Sequence, residues 1–272
     1  MMMNETFNAL LREAQFTKEM LGSGATEIRK ANYATKGKYF QSFTSLSTGL
    51  ERIGKLCLML DYYIETQGEF PAPGYLRNEV GHDISAVYAK SKSIVERRSV
   101  SLRFLSNLDG RIHQSILTIL SAFAKGDRYS NIDLVVGSVP RGDPIATWFE
   151  KVDQVIFDSC ISDAKKSKIK RNARIINHMM GDFTRVRHTS ESGSEITSVQ
   201  EASCRTGMQE AVAPYRQLFV LQIIRFWAEL LCDLQYKAMG IGKQDIPYFG
   251  ELFAPFCNED SYIKKRKSWD RI

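Results

Sequence analysis

Apolar residues recur along most of this chain at spacings of three and four, the period of an α-helix, and clean apolar–polar alternation is hard to find. The long helices predicted by this pattern cover, in chain order, 5–21, 48–66, 112–124 and 213–239. A further helix is predicted to begin near Gly74 and to run past Lys90, with helical continuation over 91–108. The expected fold class is therefore all-α.

The chain is expected to divide into two regions. Residues 1–163 are predicted to form a helical bundle, and 164–272 a C-terminal helical extension that either stands apart or packs with the first region as one domain. Within the extension, 181–207 is rich in Ser, Thr and Glu, which is typical of a flexible insertion or linker. Asp143-Pro144 predicts a helix start, because Asp caps a helix and Pro fits its first position.

Composition and charge narrow the function classes. The 272 residues are 43% hydrophobic, which is ordinary for a globular protein, and the net charge of +6 favours acidic partners, nucleic acid first among them. The longest apolar run, 218–234, is interrupted by Gln222, Arg225, Glu229 and Asp233, which argues against a membrane span. The first residues lack a signal-peptide pattern, so we expect a cytoplasmic protein.

Several kinds of chemistry find no support in the sequence. The five cysteines are scattered, with no Cys-x-x-Cys pair and no neighbouring His cluster, so neither a disulfide framework nor a zinc site is expected. There is no Gly-rich phosphate loop, nucleophile elbow or carboxylate cluster, which leaves ATP hydrolysis, esterase chemistry and two-metal catalysis unsupported. We therefore expect no cofactor and no metal.

The segment Arg77-Asn78-Glu79-Val80-Gly81-His82 carries the most informative chemistry. Arginine keeps its charge and binds phosphate oxygens, while histidine changes its charge near neutral pH. Together they suit cleavage of RNA without a metal, because an imidazole can remove a proton from a hydroxyl group. On one continuous helix the two side chains would lie about 140° apart. We therefore expect two copies of the chain to meet along this helix as a homodimer.

Position within the helix strengthens this interpretation, and alternatives remain. Arg77 is expected in the first helical turn, where unpaired backbone N–H groups favour an anion. The alternative for Arg77 is a surface ion pair with Glu79 or with a neighbouring helix. A looser pair, Arg171 and His178, lies in a basic stretch that is either a solvated face or a surface that follows RNA. The candidate RNA-binding residues of that stretch are Lys165, Lys166, Lys168, Lys170, Arg171 and Arg174.

With these residues in view, the segment 43–148 resembles the HEPN superfamily of small helical-bundle proteins. The motifs that carry this resemblance are Gly49-Leu50-Glu51-Arg52-x-x-Lys55, Arg77-Asn78-x-x-x-His82 and Gly81-His82-Asp83-Ile84. A second similarity, to related bacterial proteins, lies in Lys125-Gly126-x-Arg128-Tyr129-x-Asn131 followed by Asp143-Pro144-x-x-x-Trp148.

The resemblance implies a fold, an activity and a set of partners. HEPN proteins are commonly metal-independent endoribonucleases that act as dimers with their motifs facing each other, and many are toxins of toxin–antitoxin pairs or effectors of antiphage defence. Carried over to this chain, Arg77 and His82 would be catalytic and Asn78 would support them or bind phosphate. RNA, a second copy and an antitoxin or defence-complex protein would be the partners. In one branch the antitoxin modifies a Tyr where this chain has Ile84.

Two further interpretations remain open at this point. Some HEPN proteins keep the fold without the catalysis, so the chain could be an inactive module that binds RNA or a protein. The third interpretation is a helical interaction protein whose positive charge is incidental.

Overall fold

Helices account for most of the fold. The structure, a computed structural model, describes residues 4–138 and 142–270. The prediction of an all-α fold is confirmed, since these residues contain a single small sheet, the antiparallel pair β1 (His188–Thr189) and β2 (Glu195–Ile196). The α-helices are α1 (Glu5–Lys30), α2 (Gly37–Glu65), α3 (Tyr75–Glu79), α4 (Ile84–Arg97), α5 (Arg111–Lys125), α6 (Ser130–Val135), α7 (Pro144–Trp148), α8 (Gln154–Cys160), α9 (Asp163–Met180), α10 (Val199–Met239), α11 (Phe249–Phe253) and α12 (Asp260–Lys265).

The hairpin of α1 and α2 forms the centre of the bundle. A Cβ atom added at Gly24 would lie 2.6 Å from the Leu46 side chain, and one added at Gly49 would lie 2.8 Å from Leu21. The two glycines therefore allow the helices to approach closely. The apolar faces of α2, α4, α5 and α10 complete one continuous core that extends from Leu10 to Trp269.

Helix α10 begins at Val199, well before the predicted start at 213, because Ser198 caps it by accepting a hydrogen bond from the backbone N–H of Glu201 (3.1 Å). Its middle part is buried on all sides and packs on α1 and α2. The segment 181–207, predicted as a flexible insertion or linker, contains the β1–β2 hairpin and the first two turns of α10. Glu191 in the hairpin is 1% exposed, because Gln209 donates a hydrogen bond to it (2.6 Å).

The helix predicted from Gly74 past Lys90 is interrupted. The five-residue α3 ends at Glu79, Gly81 has a left-handed φ of 53°, and a new helix, α4, follows. Asp83 caps α4 by accepting hydrogen bonds from the backbone N–H groups of Ser85 and Ala86. The predicted continuation over 91–108 is also wrong, since α4 ends at Arg97.

The last described residues, 264–270, pack against the first helix, and we call them the C-terminal segment. The backbone N–H of buried Trp269 donates to Thr26 Oγ1 (2.7 Å), and Arg29 donates to the carbonyl oxygens of Lys264 (2.9 Å) and Arg266 (3.4 Å). Among the residues that the structure describes, no helix is both long enough and apolar enough to span a bilayer.

A π-helical turn, Phe149–Asp153, joins α7 to α8. The predicted helix start at Asp143-Pro144 is confirmed, because Asp143 accepts hydrogen bonds from the backbone N–H groups of Ile145 (2.8 Å) and Ala146 (3.0 Å).

Candidate active site

His82 lies on the surface, in the turn between α3 and α4, with 74% of its side chain exposed. Its Nδ1 atom lies 3.1 Å and 3.2 Å from the two carboxylate oxygens of Glu51 on α2. A carboxylate accepts hydrogen bonds and does not donate them, so we assign the ring proton to Nδ1. The Nε2 atom makes no hydrogen bond to any described residue. In the neutral form of the ring, Nε2 is thus a proton acceptor that faces solvent.

Glu51 is held in place by a second contact. Lys55, one helical turn further along α2, donates to Glu51 Oε1 at 2.6 Å. The Glu51 side chain is only 15% exposed, in contrast to that of His82. This carboxylate was not among the predicted site residues, although the Gly-Leu-Glu-Arg motif that contains it formed part of the HEPN resemblance. Glu51 orients the imidazole from the protein side.

Arg77 is exposed at the end of α3, and its guanidinium makes no hydrogen bond or ion pair within 4–138 and 142–270. The expected alternative, an ion pair with Glu79, is not formed, because Glu79 pairs with Lys90 on α4. Arg77 lies in the wall of a depression of about 500 Å³ that also contains Leu10 and Tyr75. Its charge is thus available to a ligand.

Asn78, the third predicted site residue, is exposed beside Arg77. Its backbone N–H donates to the carbonyl oxygen of Gly74 (2.9 Å), while its side-chain amide makes no hydrogen bond among the described residues. The amide could therefore donate to a phosphate oxygen.

Two geometric arguments made from the sequence fail here. Arg77 belongs to a helix of only five residues, so it does not occupy the first turn of a long helix that attracts anions. The break at Gly81 places His82 outside any helix, so the angle of about 140° between the side chains, on which the predicted dimer was based, does not apply. A dimer must be supported on other grounds.

Asp83 fixes the position of the turn that carries His82. Its carboxylate accepts a hydrogen bond from Ser121 Oγ (2.8 Å) and pairs with Lys125, both on α5. Burial alone would raise the pKa of Asp83, but the hydrogen bonds from Lys125 and Ser121 lower this pKa below its ordinary value. Asp83 is therefore ionised when it caps α4.

The predicted RNA-binding residues of α9 separate onto different faces. Lys165 and Lys168 line a groove of about 460 Å³ between α9 and α10. Lys166 turns away from it, since its Nζ donates to the carbonyl oxygen of Asp158 (2.9 Å). The remaining three residues are exposed outside this groove: Lys170, Arg171 and Arg174. His178 is also exposed, and its ring has no partner in the described part of the chain.

A buried polar cluster, which sequence reasoning missed, lies elsewhere in the core. Arg216 donates to Tyr39 Oη (2.9 Å) and lies 3.4 Å from Asp153, which also accepts from Tyr39 (3.0 Å) and from Trp148 Nε1 (3.1 Å). Burial raises the pKa of Asp153 to about 6, although Arg216 acts in the opposite direction. All four side chains are 0% exposed, so no substrate can reach them and their role is structural.

Within the described ranges, no group of three or more metal-ligating side chains comes together. Comparison with protein families, with curated proteins and with solved structures finds no match to this chain. The functional argument therefore depends on the residues described above.

Proposed function

We propose that this protein is a metal-independent endoribonuclease of HEPN type. The observation that carries the proposal is the exposed His82 imidazole, whose Nδ1 is held by Glu51 while Nε2 is open to solvent. Arg77 lies on the adjoining helix and forms no ion pair with any residue that the structure describes, and Asn78 adds an amide donor. Together they offer a base, a phosphate-binding group and an orienting carboxylate.

The chemistry needs only these groups. His82 Nε2 removes the proton from a ribose 2′-OH, and the 2′ oxygen attacks the adjacent phosphorus. The bond from phosphorus to the 5′ oxygen breaks, leaving a 2′,3′-cyclic phosphate on one fragment. The protonated His82 ring then gives its proton to the leaving oxygen, which becomes the 5′-OH of the other fragment. Arg77 stabilises the charge that develops on the non-bridging oxygens. DNA lacks the 2′-OH and is not cleaved.

The resemblance to HEPN proteins supports two further parts of the proposal. The first is a homodimer in which the turns that carry Arg77 and His82 face each other. The second is a role as a toxin or antiphage effector, held inactive by an antitoxin or another defence protein until it is needed.

The test is an RNA-cleavage assay in EDTA, with the purified protein and total RNA. We expect the wild type to cleave and His82→Ala to lose activity by on the order of 10²–10⁴-fold, because the general base is gone. Arg77→Ala should also be strongly impaired. His178→Ala is the matched control, since His178 is exposed and its ring has no partner among the described residues, and this variant should cleave normally. Unchanged cleavage by His82→Ala would overturn the proposal.

The same assay tests the dimer. If each site combines Arg77 of one copy with His82 of the other, an equimolar mixture of the Arg77→Ala and His82→Ala variants should regain cleavage. Absence of any recovery would contradict the shared site while leaving the nuclease intact.

A second candidate function, a catalytically silent RNA-binding module, is favoured by the groove that Lys165 and Lys168 line. This function would be supported by RNA binding that weakens steeply with salt while the wild type cleaves nothing.

A further inference from the structure

Two adjoining depressions lie along α10 and share part of their walls. The first, of about 610 Å³, lies between the end of α1 and α10, and the second, of about 460 Å³, lies between α9 and α10. Tyr33, Thr206 and Glu210 belong to the walls of both. We call this combined surface the basic groove.

Cations outnumber carboxylates in the lining of the basic groove. The only described acidic residue in its walls is Glu210, whereas the cations are Arg29, Lys30, Lys165, Lys168 and Lys267. Lys30 is neutralised by Glu27 (2.8 Å). By contrast, the ammonium groups of three lysines form no ion pair with any described residue: Lys165, Lys168 and Lys267. A polyanion would supply the missing negative charge.

An aromatic ring lies where the two depressions meet. The ring of Tyr33 contacts that of His188 edge to face, with centroids 5.6 Å apart, and its hydroxyl lies 3.2 Å from Thr206 Oγ1. Beyond it, Ile169, Ile176 and Met180 give the second depression an apolar wall. Proteins that bind single-stranded nucleic acid combine cations for the backbone with aromatic and apolar surfaces for the bases.

We propose that the basic groove binds single-stranded RNA, as a site separate from His82. That the bound strand is RNA and not DNA rests on the proposed function. Leu10 and Arg29, both on α1, show how far apart the two sites are. Leu10 lies in the depression that contains Arg77, whereas Arg29 lies in the basic groove. Arg29 lies 19 positions after Leu10 on α1, which corresponds to about 30 Å along the helix. The groove therefore adds affinity for the strand without taking part in the cleavage.

Binding is measured on full-length protein that carries His82→Ala, with a fluorescent single-stranded RNA in EDTA. Lys165→Glu combined with Lys168→Glu should weaken RNA binding by on the order of tenfold or more. The slope of log K against log salt concentration should become shallower by about 1.4, because two phosphate contacts are lost and each contributes about 0.7. Lys170→Glu combined with Arg174→Glu is the matched control. This control changes the net charge by the same amount, but both of its residues lie outside the basic groove.

The outcomes separate this proposal from the nuclease. Equal weakening by the control variant would show that overall charge alone attracts RNA, and it would overturn the groove assignment. Binding of polyglutamate in place of RNA would also overturn it, since the partner would then be an acidic protein. Glu210→Gln should strengthen RNA binding. If His82→Ala binds RNA normally but the wild type cleaves none, the nuclease fails and the groove assignment stands.

Discussion

At the scale of single residues, Glu51 determines which nitrogen of His82 is available. A free imidazole exchanges its proton between two nitrogens, and only the form with an open Nε2 can accept a proton from a substrate on the solvent side. Glu51 accepts from Nδ1 at 3.1 Å and is itself fixed by Lys55, so the reactive form is selected before any ligand binds.

Under the proposed nuclease function, Glu51→Gln should lower the rate of RNA cleavage more than the affinity for RNA. A glutamine amide can present either its oxygen or its NH₂ to the ring and so allows the unreactive form. We expect kcat to fall by on the order of 10²-fold or more, with KM nearly unchanged. Glu65→Gln, on the same helix but paired with Arg97 and Arg98, is the control. A variant that loses affinity at unchanged kcat would contradict this role.

At the scale of elements, the break between α3 and α4 places His82 at the surface. The backbone N–H of Gly81 donates to the carbonyl oxygen of Arg77 (3.0 Å), which is a frequent helix ending, with glycine in the left-handed conformation. Asp83 then starts α4 as its cap. A signal that ends one helix, Gly81, and a signal that starts the next, Asp83, thus occur within three residues.

The sequence indicated one helix here because the apolar positions continue through the break. Leu76, Val80, Ile84 and Val87 keep spacings of four and three, and all four contact the core. Hydrophobic periodicity cannot detect a turn that preserves the spacing. The glycine and the aspartate did carry the signal, but either is also tolerated inside a helix. Exposure of Arg77 and His82 was predictable, whereas the Glu51 contact, 31 residues away, was not.

Asp83→Asn tests the coupling of this turn to α5. The asparagine oxygen can still cap α4, but the charge that pairs with Lys125 is lost. At pH 7 we expect the free energy of unfolding to fall by about 1 kcal/mol, measured by urea denaturation. The folded-state pKa of Asp83 is lowered from 3.8, so its charged form stabilises the fold above that pH. The difference between variant and wild type should shrink as the pH falls below 3.8.

Asp233→Asn serves as the comparison for Asp83→Asn, since Asp233 forms only a surface pair with Lys237 on one helix. It should change the stability by less than about 0.5 kcal/mol. A difference for Asp83→Asn that stays constant down to pH 2 would exclude the charge as its cause.

At the scale of the whole molecule, the buried polar cluster connects distant parts of the chain. Tyr39 belongs to α2, Asp153 to the π-helical turn and Arg216 to α10. Each side chain is 0% exposed and contacts the other two, while Gln209 accepts a further hydrogen bond from Arg216 and Trp148 donates one to Asp153. Correct packing of all three elements is therefore needed at the same time.

Arg216→Met should destabilise the protein by about 3–5 kcal/mol, because it leaves Asp153 buried without its countercharge. Urea denaturation followed by tryptophan fluorescence measures the change. Arg225→Met is the control: Arg225 is equally buried, but its partner Asp260 is 50% exposed and can be hydrated when the arginine is lost. Arg225→Met should lower the free energy of unfolding by clearly less than Arg216→Met does. Equal losses in the two variants would contradict the explanation by an unpaired buried charge.

The packing of the C-terminal segment on α1 has a consequence for protein synthesis. The partners of Thr26 and Arg29 lie some 240 residues later in the chain, at Lys264, Arg266 and Trp269. A growing chain on the ribosome folds from its beginning, so α1 emerges long before these residues are translated. Lys267, which belongs to the same late segment, also completes the wall of the basic groove. Both the final packing of α1 and the complete wall of the basic groove are therefore delayed until translation has passed residue 269.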